Sequence, residues 1–167
     1  MSMFEDNRYR WRETYFVLFD AKKRPRLKTV AKAIAALSAR YELINLNADD
    51  QDQIESLTVI SPDDFAALDV CYTAGEEVQE QVAELVKELK KSAADVPPPV
   101  PWSEIRQYDG RFDVLHFEQV PEEGEEQFED DAMLDPSALL LVLNALAKLT
   151  GGIAVDPQAG VLLQEEE

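Results

Sequence analysis

Residues 13–20 read ETYFVLFD, an almost unbroken run of apolar and aromatic residues with the length of one strand. Strands that are apolar on both sides are buried on both faces, so this run predicts a strand in the interior of a sheet. The apolar residues after it recur at spacings of three and four: Leu27, Val30, Ile34, Leu37 and Tyr41. That spacing predicts a helix over residues 27–39 whose apolar face packs on the sheet.

The chain continues with three predicted strands and a second helix. The strands cover residues 41–47, 56–61 and 66–73, which are rich in β-branched and apolar residues. The helix covers residues 76–91, with acidic residues at its start and lysines at its end, as the helix dipole favours. The residues expected to face inward are Val78, Val82, Leu85 and Leu89. Residues 95–101, DVPPPVP, predict an extended connector because proline disrupts a helix interior.

The dipeptide Asp109-Gly110 has two interpretations. Asp-Gly is a strong signal for a two-residue hairpin turn. The alternative is a short helix that begins near Ser103, with Gly110 beyond its end. A strand over residues 112–117 is predicted in both cases.

The last third of the chain begins with a predicted loop over residues 118–135, which holds nine acidic residues and no basic one. Asp135 and Pro136 then suit the N-cap and first position of a third helix. Residues 138–149 are apolar nearly all round, so this helix is expected to be largely buried. Two short strands, residues 153–155 and 161–163, complete the prediction.

The predicted element order is β-α-β-β-β-α, a proline-rich connector, and then β-α-β-β. This order predicts an α+β fold in which the helices pack on a mainly antiparallel sheet. Its first part resembles the split unit of ferredoxin-like sandwiches, here with an additional C-terminal β-α-β-β segment. We expect one domain over residues 1–167, with flexible ends at residues 1–12 and 164–167. Residues 13–61 and 111–163 share the same element order, without residue-level identity that would indicate a duplication.

The net charge of −18 comes from 34 acidic and 16 basic residues that are unevenly distributed. Residues 1–40 hold 10 basic and 4 acidic residues, whereas the rest of the chain holds 6 basic and 30 acidic ones. Such an acidic balance disfavours nucleic acids and anionic membranes as partners. Cys71 is the single cysteine, and the N-terminal sequence lacks the apolar core of a signal peptide, so we expect a cytoplasmic protein.

The sequence predicts no catalytic residue, no metal site and no cofactor. His116 is the only histidine, so a multi-histidine metal site is excluded, and a Cys71–His116 pair is the one nucleophilic alternative. Cys71 is expected to be a small buried hydrophobe in a strand, and His116 a partly buried, hydrogen-bonded side chain. Residues 49–52 and 122–131 are acidic but lack EF-hand spacing, and glycine-rich phosphate loops are absent from the sequence.

One candidate binding cluster is the N-terminal alternation of arginines and aromatic residues. Arg8, Arg10 and Arg12 are interleaved with Tyr9 and Trp11. Strand alternation would put the arginines on one side and Tyr9, Trp11 and Glu13 on the other. The arginines and Trp11 could stack on a ligand or bind carboxylates. Alternatively, this is an edge strand whose arginines pair with the protein's own acidic surface.

The second candidate is the acidic loop, in which Glu122, Glu123, Glu125 and Glu126 are the residues expected to meet a basic protein. The sequence therefore predicts a non-enzymatic protein-interaction or regulatory domain with an acidic surface. The alternative is an enzyme of an unrecognised type that uses carboxylates such as Asp69, Glu118 or Asp156. A third interpretation is a self-associating subunit.

Overall fold

The computed structural model describes residues 9–62, 66–92, 101–119, 137–156 and 161–163. The chain begins with β1 (Tyr9–Phe19), a 3-10 helix (Ala21–Lys23) and α1 (Leu27–Ala35). It continues with β2 (Glu42–Ala48), β3 (Ile54–Ser61), β4 (Ala66–Ala74), α2 (Glu76–Ser92) and α3 (Trp102–Ile105). The last elements are β5 (Gly110–Gln119), α4 (Ser137–Thr150), β6 (Ile153–Asp156) and β7 (Val161–Leu163).

The strands of the described segments form one sheet in the order β2-β3-β4-β5-β1-β6-β7. Each neighbouring pair is antiparallel. The strand predicted to be interior, β1, lies between β5 and β6, and its residues Val17, Leu18 and Phe19 are at most 1% exposed. The predicted interior position of this strand is therefore confirmed.

Helices cover both faces of the sheet at β1. Val17 and Phe19 belong to a core cluster with residues of α1 and α4, whereas Leu18, which points to the opposite face, packs with α2 and α3. The α+β class and the antiparallel sheet are confirmed, but the ferredoxin-like sandwich is not. In the common α+β layout the helices lie on one face of the sheet. Here a strand that is apolar on both sides requires cover on both sides.

The alternative interpretation of Asp109-Gly110 agrees with the structure. Residues 102–105 form the short helix α3, and Gly110 lies beyond its end as the first residue of β5. The residues that α2 buries are Val78, Val82, Val86 and Leu89, while the predicted inward residue Leu85 is only half-buried. Helix α4 is less buried than expected, because Leu140 and Leu141 are exposed.

The shared element order of the two halves does not extend to strand order. β6, the first strand after α4, pairs with β1. If the halves were equivalent, β1 would correspond to β5 and β6 to β2, so β2 would pair with β5. Instead β2 lies at the far edge of the sheet and is separated from β5 by β3 and β4. The two halves therefore place corresponding strands differently in the sheet.

A glycine pair makes the tight turn from α4 into β6. Gly151 has φ +68°, and the Gly152 N–H donates to the carbonyl oxygen of Ala147 at 3.0 Å, which is the six-to-one bond of a Schellman motif. A Cβ atom at Gly152 would collide with the carbonyl oxygen of Leu18. Glycine is needed there because the turn passes directly against β1.

Candidate functional site

An open groove of about 590 Å³ lies between α2 and the adjacent part of the sheet. Its apolar lining consists of Phe16 and Leu18 from β1 and of Val82 and Leu85 from α2. Its acidic lining consists of four glutamates of α2: Glu77, Glu80, Glu84 and Glu88. Gln81 and Arg111 complete it. The groove therefore combines apolar surface with a row of carboxylates.

The row of carboxylates follows from the helical repeat of α2. Glu77, Glu80, Glu84 and Glu88 are spaced by three and four residues, so they form one stripe along the helix. At 1.5 Å per residue the stripe is about 16 Å long. All four side chains are exposed, while the valines of the same helix are buried against the sheet. The burial of the apolar side of α2 thus orients the glutamates along the groove.

Arg111 is the basic residue of the groove lining, and its guanidinium already has several partners. Nε lies 2.6 Å from Asp113 Oδ1, Nη2 lies 3.3 Å from Asp113 Oδ2, and Nη1 donates to Gln81 Oε1. The guanidinium also lies over the ring of Phe16, 4.5 Å from its centroid. Asp113 offsets the positive charge of Arg111, so the groove keeps the negative charge of the α2 stripe.

Within the described residues, Arg10 and Arg12 of the predicted N-terminal cluster lie on the face of the sheet opposite the groove and are paired internally. Arg10 Nε donates to Glu118 Oε1, and Arg12 Nη1 lies 3.4 Å from the same oxygen. These pairs agree with the alternative in which the arginines meet the protein's own acidic groups. β6 pairs only with residues 16–18 of β1, so residues 9–15 have β5 as their one neighbouring strand in the described segments.

A β-bulge between Trp11 and Glu13 changes which side chains share a face. Arg10 lies opposite Glu118 and Glu13 lies opposite His116, so Arg10 and Glu13 are on one face. The predicted grouping of Glu13 with Trp11 is wrong, because the bulge shifts the alternation by one residue. Trp11 lies on the other face, is 44% exposed, and donates from Nε1 to Thr14 Oγ1 at 3.0 Å.

His116 is 1% exposed, more buried than predicted. Its Nδ1 lies 3.4 Å from Glu13 Oε1, and within the described segments its Nε2 has no hydrogen-bond partner. Burial lowers the pKa of His116, while the hydrogen bond and the charge of Glu13 partly oppose that shift. Burial, followed by the charge of Glu13, raises the pKa of the neighbouring Tyr15. His116 is therefore a buried side chain held internally by Glu13.

Cys71 is exposed, contrary to the prediction of a buried thiol. Partial burial of the sulfur, followed by the charges of Asp69 and Asp113, raises the pKa of Cys71 to about 11. Cys71 lies opposite Asp113, whereas His116 is three residues further along β5 and therefore on the other face. The geometry excludes the Cys71–His116 pair, and the raised pKa is the opposite of what a nucleophilic thiol needs.

The remaining predicted binding residues, Arg8, Glu122, Glu123, Glu125 and Glu126, lie outside the described residues. In the part of the chain that the structure describes, no three His, Cys, Asp or Glu side chains are grouped so that they could hold a metal ion. No helix of that part is long and apolar enough to cross a membrane.

Comparisons of the chain with protein-family models, curated proteins and solved structures found no match.

The groove was not predicted from the sequence. The spacing of the four glutamates on α2 was a usable signal, because it places a continuous acidic stripe beside a helix face that also carries Leu85. The contribution of Phe16 and Arg111 could not be predicted, since it depends on which strands lie beside α2.

Proposed function

We propose that this chain is a non-enzymatic protein-interaction domain whose groove along α2 binds a segment of a basic protein. The segment carries apolar side chains that contact Phe16, Leu18 and Leu85, with lysines or arginines that meet the α2 glutamates. The observation that carries the proposal is the combination of an open apolar groove with a row of four exposed carboxylates.

The two components of the groove have different physical roles. Apolar contact supplies most of the affinity, because removing apolar surface from water is the main favourable term in association. The carboxylates select a basic segment and accelerate its encounter, and this contribution weakens as salt increases. Amphipathic segments bind in grooves of this kind through apolar residues at helical spacing.

The acidic residues Glu122, Glu123, Glu125 and Glu126 extend the same preference for a basic partner, and their charge adds to electrostatic steering. The same negative charge disfavours nucleic acid as a partner. A single cysteine, with no disulfide to maintain, suits the cytoplasm, where we place the protein.

The enzyme alternative gains no support from Asp69 and Glu118, two of the three carboxylates named for it. Asp69 accepts a hydrogen bond from Thr58 Oγ1 at 2.6 Å, and Glu118 is paired with Arg10 and Arg12. Asp69 lies opposite Leu115, three residues before Glu118 on β5, so the two carboxylates are on opposite faces of the sheet. They do not converge on one reaction site.

The test is selection from a random displayed-peptide library, followed by calorimetry of the enriched peptides. We expect the enriched peptides to combine apolar residues with lysine or arginine. In the groove variant, Glu77, Glu80, Glu84 and Glu88 are replaced by glutamine. Its affinity for these peptides should fall about tenfold or more, as expected for the loss of several charge contacts.

The matched control neutralises four exposed carboxylates that do not line the groove: Glu42→Gln, Asp50→Asn, Asp52→Asn and Glu55→Gln. It removes the same total charge, so a difference in affinity between the two variants is due to the position of the charges in the groove and not to the net charge of the chain. Enrichment of acidic or purely polar peptides would contradict the proposal. So would equal affinity of the groove variant and the control.

A further inference from the structure

Residues 21–40 form a basic surface segment in an otherwise acidic protein. They contain seven basic residues and no acidic one. Five of the basic residues are exposed and form no ion pair within the described part of the chain: Lys22, Lys23, Arg26, Lys28 and Lys32. These five are named here the basic face.

Arg24 is the basic residue of this segment that has a structural role. Its Nη1 lies 3.0 Å from Asp49 Oδ2, its Nε donates to the carbonyl oxygen of Ile54 at 2.8 Å, and its guanidinium lies 4.0 Å from the centroid of the Tyr72 ring. Arg24 therefore ties the segment to β3 and β4. Among the described residues the basic face has no such contact, so its charges are available for an external partner.

The outward side of α1 matches the groove in both charge and spacing. Lys28, Lys32 and Ala35 are exposed and share one stripe, since they are four and three residues apart. Glu80 and Glu84 on α2 are likewise one helical turn apart. Two lysines at this spacing can therefore meet two glutamates at the same spacing when the helices lie side by side.

The two surfaces cannot meet within one molecule. α1 packs on the face of the sheet that contacts Val17 and Phe19, whereas α2 packs on the face that contacts Leu18. The sheet separates them. Contact between the basic face and the groove therefore requires a second copy of the chain.

We propose that the groove partner is a second copy of this chain, whose α1 docks along α2 with Lys28 and Lys32 beside Glu80 and Glu84. This inference rests on the proposed function of the groove and names its occupant. The small Ala35 side chain allows α1 to approach the apolar lining. The contact joins two different surfaces, so each added copy leaves a free groove at one end and a free basic face at the other.

Such a contact has a distinctive salt dependence. At very low ionic strength two chains of charge −18 repel each other over tens of ångströms. At about 0.15 M salt, screening over about 8 Å removes most of that repulsion but leaves close ion pairs. At about 1 M salt the close pairs are weakened too. Association should therefore be strongest at intermediate ionic strength.

Sedimentation equilibrium of the full chain, from low to high salt, tests the proposal with two charge-reversed variants. One carries Lys28→Glu and Lys32→Glu, and the other carries Glu80→Lys and Glu84→Lys. Each variant should associate about tenfold or more weakly than the wild type, because attraction at the contact becomes repulsion. Mixing the two variants should restore association, since each then offers a surface complementary to the other.

The control variant, Glu42→Lys and Glu55→Lys, has the same net charge as the α2 variant and should associate as the wild type does. Circular dichroism checks that every variant is folded. A mass of 18.8 kDa at every salt and concentration overturns the inference. Association that neither reversed variant weakens, or that mixing does not restore, overturns it as well. If the chain is monomeric but binds basic peptides in the groove, only the identity of the occupant is wrong.

Discussion

Leu85 and Leu89 lie on the same helix but in different surroundings, and their replacement by alanine tests how α2 is packed. Leu89 is fully buried with Val82 and Val86 against the sheet. Leu85 is half-buried and lines the open groove. We expect Leu89→Ala to destabilise the protein much more than Leu85→Ala.

The difference follows from what each truncation leaves behind. At Leu89 the lost burial is accompanied by an enclosed cavity, which gives a total cost of about 2–5 kcal/mol. At Leu85 the removed atoms already border the groove, so no new enclosed cavity forms. The remaining cost is the lost burial of half a side chain, about 1 kcal/mol. Helix propensity cancels in the comparison, because the same substitution is made twice on one helix.

Urea unfolding followed by circular dichroism measures the contrast. With a slope of about 2 kcal/mol per M, the midpoint should shift by about 1 M or more for Leu89→Ala and by about 0.5 M for Leu85→Ala. Leu85→Ala should instead weaken binding of basic apolar peptides, which Leu89→Ala leaves nearly unchanged. Equal midpoint shifts for the two variants would refute the assignment of Leu85 to the groove.

Three further predictions concern single residues: His116, Cys71 and Gly152. Burial holds the pKa of His116 below its ordinary value of 6.5, so the unfolded chain binds more protons and the free energy of unfolding should fall as pH drops below 6.5. Urea titrations at several pH values should show that His116→Gln flattens this pH dependence, whereas an unchanged slope would contradict the role of His116. The raised pKa of Cys71 leaves less of the reactive thiolate at pH 8, so its alkylation should be about tenfold slower in the native protein than in urea. Equal rates would show that the pKa of this thiol is not raised. Gly152→Ala should lower the melting temperature by about 6 °C or more, because its Cβ collides with the carbonyl of Leu18; a change within about 2 °C would contradict the close packing of that turn.

The fold was largely predictable where hydrophobic pattern determines structure. The two-sided apolar run at residues 13–20 identified the interior strand, and the spacing of Val30 and Ile34 identified α1. The assignment of helices to faces was not predictable in the same way. Helix periodicity shows that one side is buried, but not which face of the sheet buries it.

Local irregularities limited the prediction of the arginine cluster. The alternation of residues 8–12 is regular in sequence, but the bulge before Glu13 places Glu13 with Arg10 and opposite His116. A bulge adds one unpaired residue to a strand, so a prediction from strict alternation assigns the residues beyond the bulge to the wrong face. The pairing of Arg10 and Arg12 with Glu118 depends on β1 and β5 being neighbours, although they are some 100 residues apart.

Whether opposite charges neutralise each other within this molecule depends on the sheet. Arg10 and Glu118 project from adjacent strands on one face, so they pair and leave little net charge there. Lys28 and Lys32 project from a helix on the other side of the sheet from Glu80 and Glu84, so no rotation of side chains brings them together. Because β1 requires cover on both faces, the fold itself keeps these two sets of charges apart. The same constraint that stabilises the core therefore leaves each molecule with surfaces of opposite charge on opposite sides of its sheet, which is the arrangement that the proposed self-association requires.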